Sequence, residues 1–256
     1  MGLIDTHTHL YAAEFDEDRN ALIADAIAQG VKQFYLPNID ATSIQSMLEL
    51  EKQYPNNCFA MMGLHPCAVK EDVEENLSII EAWLAKRKFV AVGEIGIDLY
   101  WDKTFKKEQQ LAFRKQISWA KQYNIPYDIH CRDAFDEVME VVSEFKADNI
   151  KAIFHCFSGN VTQAEKVLDA GNFKLGIGGV VTFKNSGLDK VVEAIGLEHI
   201  VLETDAPYLA PTPNRGKRNI PVYLNLIAEK VAAIKNISVE EVVNITTKNA
   251  KTVFGS

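Results

Sequence analysis

Cysteine is scarce and unpatterned in this chain. Cys58, Cys67, Cys131 and Cys156 are scattered, with no C-x-x-C spacing. Free thiols are therefore expected, rather than a disulfide framework. Long apolar runs are missing too. No stretch of about 18 apolar residues occurs, so no membrane span is expected. A basic segment followed by an apolar one is absent from the N-terminus, so no secretory leader is expected. A cytoplasmic location follows from these three absences. Positive charge is in deficit: 27 Lys and Arg stand against 35 Asp and Glu, a net charge of −8. That excludes a protein that coats nucleic acid by bulk electrostatics, but not an enzyme with a local basic rim. Low-complexity segments and Gly/Ser linkers are also lacking. The 256 residues, 47% of them hydrophobic, read as one globular domain over 1–256.

What the chain does contain is alternation. Short apolar runs suggest strands at Leu3–Thr6, Gln33–Leu36, Phe59–Gly63, Val90–Gly93, Pro126–Ile129, Ala152–Phe154, Lys174–Ile177 and Ile200–Leu202. Helix-like patterns lie between them, among them Glu17–Gln29, Asn76–Lys86, Lys107–Gln122, Asp133–Phe145 and Val161–Ala170. Gly30 and Gly171 stand where helix stops are expected. Eight strand–helix units over about 250 residues predict an α/β fold, a (β/α)8 TIM barrel. A doubly wound open sheet is the competing architecture. It usually has fewer strands, and no glycine-rich phosphate loop follows the first strand here.

In such barrels, reactive groups sit where strands end. The first strand runs into His7 and His9, which share a face by the two-residue period of a strand. Later strand ends carry His65, Glu94, His130, His155 and Asp205. Five of the six histidines fall at such ends; only His199 does not. The spacing keeps register. His130 and His155 are 25 residues apart, one unit, and His155 and Asp205 are 50 apart, two units. Four imidazoles with two carboxylates exceed the needs of one tetrahedral ion. They suit two divalent ions, with Glu94 bridging. His7, His9 and Asp205 complete one site, and His130 and His155 serve the other. His65 has two readings, a contact to substrate phosphate or a cap on its own loop.

The segments Asp5–Leu10, Gly93–Asp98, His130–Ala134, His155–Gly159 and Glu203–Leu209 together resemble the TatD family of metal-dependent deoxyribonucleases, within the amidohydrolase superfamily. The resemblance runs in order from residue 3 to about residue 254. It implies a (β/α)8 barrel, a divalent-metal-dependent DNase, and metal binding by His7, His9, Glu94, His130, His155 and Asp205. Two positions depart from the family pattern. Ile220 stands where Glu is usual, after the basic loop Arg215–Arg218. Asp128 stands where an apolar residue is more common, either as a partner to a ligand or as a solvated group at the barrel bottom.

The expected chemistry is phosphodiester hydrolysis of DNA by a metal-activated water, possible as 3'-5' exonuclease action. Mg²⁺, Mn²⁺, Zn²⁺ and Co²⁺ are all candidates. Asp205 orients the water or takes its proton, and Glu94 sets the spacing of the ions. Glu203 reads as a carboxylate that steadies a ligand. Arg132, Arg215 and Lys217 are candidate phosphate contacts. Tyr100 and Trp101 can stack on an unpaired base or pack internally. Lys103, Lys106 and Lys107 read as an exposed helix start. A monomer is expected. The alternatives are hydrolysis of an amide, lactone or phosphotriester on the same barrel, or a metal- and nucleic-acid-binding protein without catalysis.

Overall fold

A computed structural model describes residues 2–255. Eight strands run parallel: β1 (Leu3–Asp5), β2 (Val31–Pro37), β3 (Cys58–Met61), β4 (Val92–Asp98), β5 (Tyr127–Arg132), β6 (Ala152–Phe154), β7 (Phe173–Ile177) and β8 (Ile200–Leu202). Their residues are almost all buried, as parallel strands covered on both faces must be. Ladders join them as β1-β2-β3 and as β4-β5-β6-β7-β8.

Backbone hydrogen bonds also cross both seams. Between β3 and β4, Val90 N–H donates to Ala60 O at 3.2 Å, Met62 N–H to Ala91 O at 3.1 Å, and Gly93 N–H to Met62 O at 3.2 Å. Between β8 and β1, Thr6 N–H donates to Leu202 O at 3.1 Å and Asp205 N–H to His7 O at 3.0 Å. The sheet thus closes on itself, and the TIM barrel expected from the alternation is the fold.

Among the described residues, nine α-helices surround it: α1 (Arg19–Ala28), α2 (Ile44–Gln53), α3 (Val73–Lys86), α4 (Lys106–Tyr123), α5 (Phe135–Glu144), α6 (Val161–Ala170), α7 (Leu188–Ala194), α8 (Leu224–Lys235) and α9 (Val239–Phe254). Their apolar faces and the outer barrel wall form one continuous core. The start of α6 is a capping box, in which the Asn160 side chain accepts from Gln163 N–H and Gln163 reaches back. Among the described residues, no helix is long and apolar enough to cross a membrane.

The helix α9 closes the floor. Ile4, Tyr35, Met61, Ala91, Ile153 and Val201 form a separate inner cluster with Ala250 and Val253. Tyr35 stacks on Phe254 with centroids 3.8 Å apart. Asn249 Nδ2 donates to Leu197 O at 2.7 Å and to Ile200 O at 2.8 Å, tying α9 to the entry of β8. With the floor filled, the opposite rim holds the accessible chemistry.

Two strands run further than their apolar content suggests. β4 extends to Asp98 and β5 to Arg132, so Glu94 and His130 lie within strands rather than beyond their ends. The two pair from Ile95↔Ile129 through Asp98↔Arg132. Gly96 permits this. Its φ is +144°, and a Cβ there would come within 2.0 Å of His130 O.

Candidate metal centre

Glu94 projects from β4 into the barrel mouth and is buried. Its two oxygens face different partners. Oε2 lies 3.3 Å from His7 Nε2 and 3.7 Å from His9 Nε2. Oε1 lies 2.7 Å from His130 Nδ1, 3.4 Å from His65 Nε2 and 3.7 Å from His155 Nε2. Asp205, following β8, brings Oδ1 within 3.7 Å of His7 Nε2 and 3.6 Å of His9 Nε2. The six residues that the sequence nominates as ligands therefore converge, from five different strand ends, around one carboxylate. His155 also stacks on His7 at 3.5 Å and shares a donor cluster with His7 and Asp205, so the two halves are contiguous.

Three of the four candidate histidine ligands are hydrogen-bonded on the far nitrogen. His7 Nδ1–H donates to Asp128 Oδ2 at 2.6 Å. His9 Nδ1–H donates at 3.0 Å to the Tyr11 hydroxyl, which donates onward to Pro37 O. His130 Nε2–H donates to Asp98 Oδ2 at 2.9 Å. His155 Nδ1 lies 3.0 Å from Glu203 Oε1, close enough to pair but off the line of a good hydrogen bond. Such backing fixes which ring nitrogen points inward and raises its basicity. His65 is built the other way. Its Nδ1 accepts from Cys67 N–H at 3.0 Å. Nε2 of the neutral ring therefore carries the hydrogen, so His65 presents a donor to the site. The loop-cap reading of His65 is what the structure shows, and its free edge faces Glu94.

The electrostatics are those of a cation site. His7 and His9 bring their Nε2 atoms within 3.2 Å, too close for two bare lone pairs. One proton or cation belongs between them. Burial opposes charge on His7, but Asp128 and Glu94 raise it well above the usual range. Burial and the neighbouring His7 hold His9 well below it. Burial opposes charge on Glu94 as well, but His65, His7 and His155 keep its carboxyl well below the usual range. His130 is raised to about 9, because hydrogen bonds to Asp98 and Glu94 outweigh its burial. Burial lifts Asp205 to about 6 and Glu203 to about 7. Burial, reinforced by nearby carboxylates, holds the Cys156 thiol protonated, so it is a poor ligand beside His155 and Glu203.

The donor set fits a divalent ion. The Nε2 atoms of His7 and His9 lie 3.2 to 3.7 Å from each other, from Glu94 Oε2 and from Asp205 Oδ1. His7 and His9 with either carboxylate are the nitrogen and oxygen donors that Zn²⁺ takes. On the other side, His130 Nδ1–H donates to Glu94 Oε1 at 2.7 Å.

The remaining nominated residues divide. Glu203 accepts from Cys156 N–H and contacts Thr6, so it braces the His155 turn. Arg132 is exposed at the end of β5, with its guanidinium carbon 3.9 Å from the Tyr100 ring centre. Arg215 is exposed and lies over the Phe183 ring at 4.4 Å. Lys217 is exposed on the same loop. Arg218 is committed elsewhere, to Asp18 and Glu14 O. Lys106, the first residue of α4, pairs with Glu137 at 2.6 Å. Asp128 is the partner of His7 and not a solvated group at the barrel bottom. Beside His155, a cavity of about 350 Å³ opens between Phe135 and Phe157, with Ser158 and Gly159 on its rim.

Asp98 and Tyr11 carry roles that sequence reasoning did not assign. Asp98 lies four residues beyond Glu94 on the same strand face, and Tyr11 two beyond His9. The two-residue period was the available signal for Asp98.

Comparison with known proteins agrees with this geometry. The sequence model of the family described as "TatD related DNase" matches residues 4–255. The chain is 40% identical over 253 residues to a Bacillus subtilis protein named uncharacterized metal-dependent hydrolase YabD, covering 98% of each. It is 32% identical over 258 residues to a Salmonella typhimurium protein named 3'-5' ssDNA/RNA exonuclease TatD, again covering 98% of each. Among solved structures it is similar to YJJV, a TatD homologue from Escherichia coli. The TM-score is 0.93 at 28% identity, covering 99% of this chain and 98% of that one.

Proposed function

This chain belongs to the TatD family, metal-dependent hydrolases acting on ester bonds, and from that premise we propose that it is a deoxyribonuclease hydrolysing DNA phosphodiesters with two divalent ions. The observation that carries the reading is Glu94, whose carboxylate turns one oxygen to His7 and His9 and the other to His130 and His155. In this reading, His7, His9, Glu94 and Asp205 hold one ion, and Glu94, His130 and His155 hold the other. Mg²⁺, Mn²⁺, Zn²⁺ and Co²⁺ all suit such a nitrogen and oxygen donor set. When bound, the ions supply a water acidic enough to ionise near neutral pH and positive charge against the phosphoryl oxygens.

The chain's own groups do the rest. Asp205, raised to about 6, is ionised at neutral pH and accepts the proton of the attacking water at a carboxylate oxygen. The water oxygen adds to phosphorus, the P–O bond to the leaving strand breaks, and the departing oxygen takes a proton from solvent to leave as a hydroxyl. His65 Nε2–H donates to a phosphoryl oxygen and orients the diester. Arg132 holds a neighbouring phosphate, with Arg215 and Lys217 as more distant contacts. The Salmonella relative's name supports a free 3' end as the point of attack. The four thiols are all unpaired, as a reducing cytoplasm would keep them.

End-labelled single- and double-stranded DNA, incubated with metal-reconstituted protein, tests this. A ladder shortening from the 3' end is expected, abolished by EDTA and restored by a divalent ion. Activity that survives exhaustive chelation overturns the metal mechanism. Turnover of small lactones or dipeptides, with none on DNA, overturns the substrate.

A further inference from the structure

The segment between β4 and α4 sets two large rings into solvent beside the metal centre. Tyr100 is 52% exposed and Trp101 is 71% exposed. An exposed Trp contributes little to a core, so internal packing does not account for it. The two rings meet edge to face, with centroids 4.8 Å apart. Arg132, two residues beyond His130 on β5, lays its guanidinium 3.9 Å from the Tyr100 centroid and 5.3 Å from that of Trp101.

This group is fastened to the candidate centre by a single side chain. Asp98 Oδ2 accepts from His130 Nε2–H at 2.9 Å. Its other oxygen accepts from Tyr100 N–H at 3.0 Å and Trp101 N–H at 3.4 Å. On the opposite side, Tyr208 is 48% exposed and meets the His9 ring at 5.9 Å. Aromatic rings thus flank the candidate centre on both sides, and among the described residues a stacked cation is found on the Tyr100–Trp101 side.

We propose that Tyr100, Trp101 and Arg132 form a subsite for one unpaired nucleobase and its phosphate, adjoining the scissile diester. The inference rests on the nuclease reading above and deepens it by naming residues that select single strands. Exposed π faces stack bases of any identity, and a guanidinium both stacks and pairs with phosphate. A base inside a duplex has its faces covered by its neighbours, so only an unpaired base can use the platform. The pinning by Asp98 holds the platform in a set position relative to His130.

The test compares wild type with Trp101→Ala, Tyr100→Ala and Trp101→Phe, all metal-loaded, on a single-stranded oligonucleotide and on its blunt duplex. For Trp101→Ala and Tyr100→Ala, KM on the single strand is expected to rise about ten- to hundredfold, with most of the loss in KM rather than kcat. The preference for single strands should fall with it. Trp101→Phe should recover KM to within about threefold while losing the quenching of tryptophan fluorescence that the oligonucleotide causes in wild type. Unchanged KM in Trp101→Ala overturns the subsite and leaves the nuclease reading intact. A fall in kcat alone also overturns it, because that is the signature of disturbing His130 through Asp98. Wild type that hydrolyses bis(p-nitrophenyl) phosphate but no oligonucleotide overturns the nuclease reading itself.

Discussion

The carboxylate of Asp128 meets His7 Nδ1 at 2.6 Å, across 121 residues of sequence, with both side chains buried. Burial raises the Asp128 carboxyl against the pull of His7, so the pair holds a proton between Nδ1 and Oδ2. His7 Nε2 is left to face His9 and Glu94. Replacing Asp128 with Val removes that acceptor. The affinity for divalent ions should fall about ten- to hundredfold, read by competition with a chromogenic chelator. Asp128→Asn, which still accepts from Nδ1–H but lacks the charge, should fall less. Equal affinity in all three proteins would show that Asp128 does not support the ligand.

Glu94 and Asp205 should separate by metal content. Glu94→Gln is expected to lower the number of ions bound per chain, measured by elemental analysis after reconstitution, and to abolish turnover. Asp205→Asn should cost about 10²–10⁴-fold in kcat, the usual contribution of a general base. Near wild-type rates in either variant refute its assigned role.

His65 offers the opposite signature. Its Nδ1 accepts from Cys67 N–H, so its inward edge donates. His65→Ala should lose turnover with the full metal complement retained, and His65→Gln, which can still donate, should keep more activity than the Ala variant. A drop in metal content for His65→Ala would make it a ligand and refute the donor assignment.

Far from the centre, Asn249 satisfies two buried carbonyls from α9, those of Leu197 and Ile200. Asn249→Ala leaves both without that donor and should cost about 2 kcal/mol. In a chain of this size that is a drop of roughly 4–8 °C in Tm, with metal affinity unchanged. An unaltered melting curve would show that water replaces the amide.

Much of this arrangement was legible in linear order. Histidines and an aspartate at strand ends, with His130, His155 and Asp205 spaced 25 and 50 residues apart, marked the barrel and the candidate donors. The backing groups were harder to see. Asp128 is distant from His7 in sequence, and Tyr11 has no regular spacing to Pro37, whose carbonyl receives its hydroxyl. Such pairs come from the curvature of the closed sheet, which no local pattern encodes. The extension of β4 to Asp98 escaped notice because Glu94 and Asp98 interrupt the apolar run that marks a strand, although both point into the barrel mouth. The role of α9 was hidden because its residues read as an ordinary amphipathic helix. Only the inner cluster of Ile4, Tyr35 and Val201 shows that it stoppers the barrel.

The seams of the barrel have a consequence for its stability. β1-β2-β3 and β4 to β8 are two ladders joined by a few backbone hydrogen bonds at each edge. The donors straddle both edges. His7 and His9 follow the first strand of the smaller ladder, Glu94 stands in the first strand of the larger, and Asp205 follows its last. A cation gripped by all four is a clasp across the two places where the wall is thinnest. Opening either seam must break that clasp, so its binding energy adds to the resistance of the whole fold to unfolding. Amide exchange along β1 and the β8 edge should slow with metal concentration as turnover rises, so that one measurement of rigidity reports on catalytic readiness.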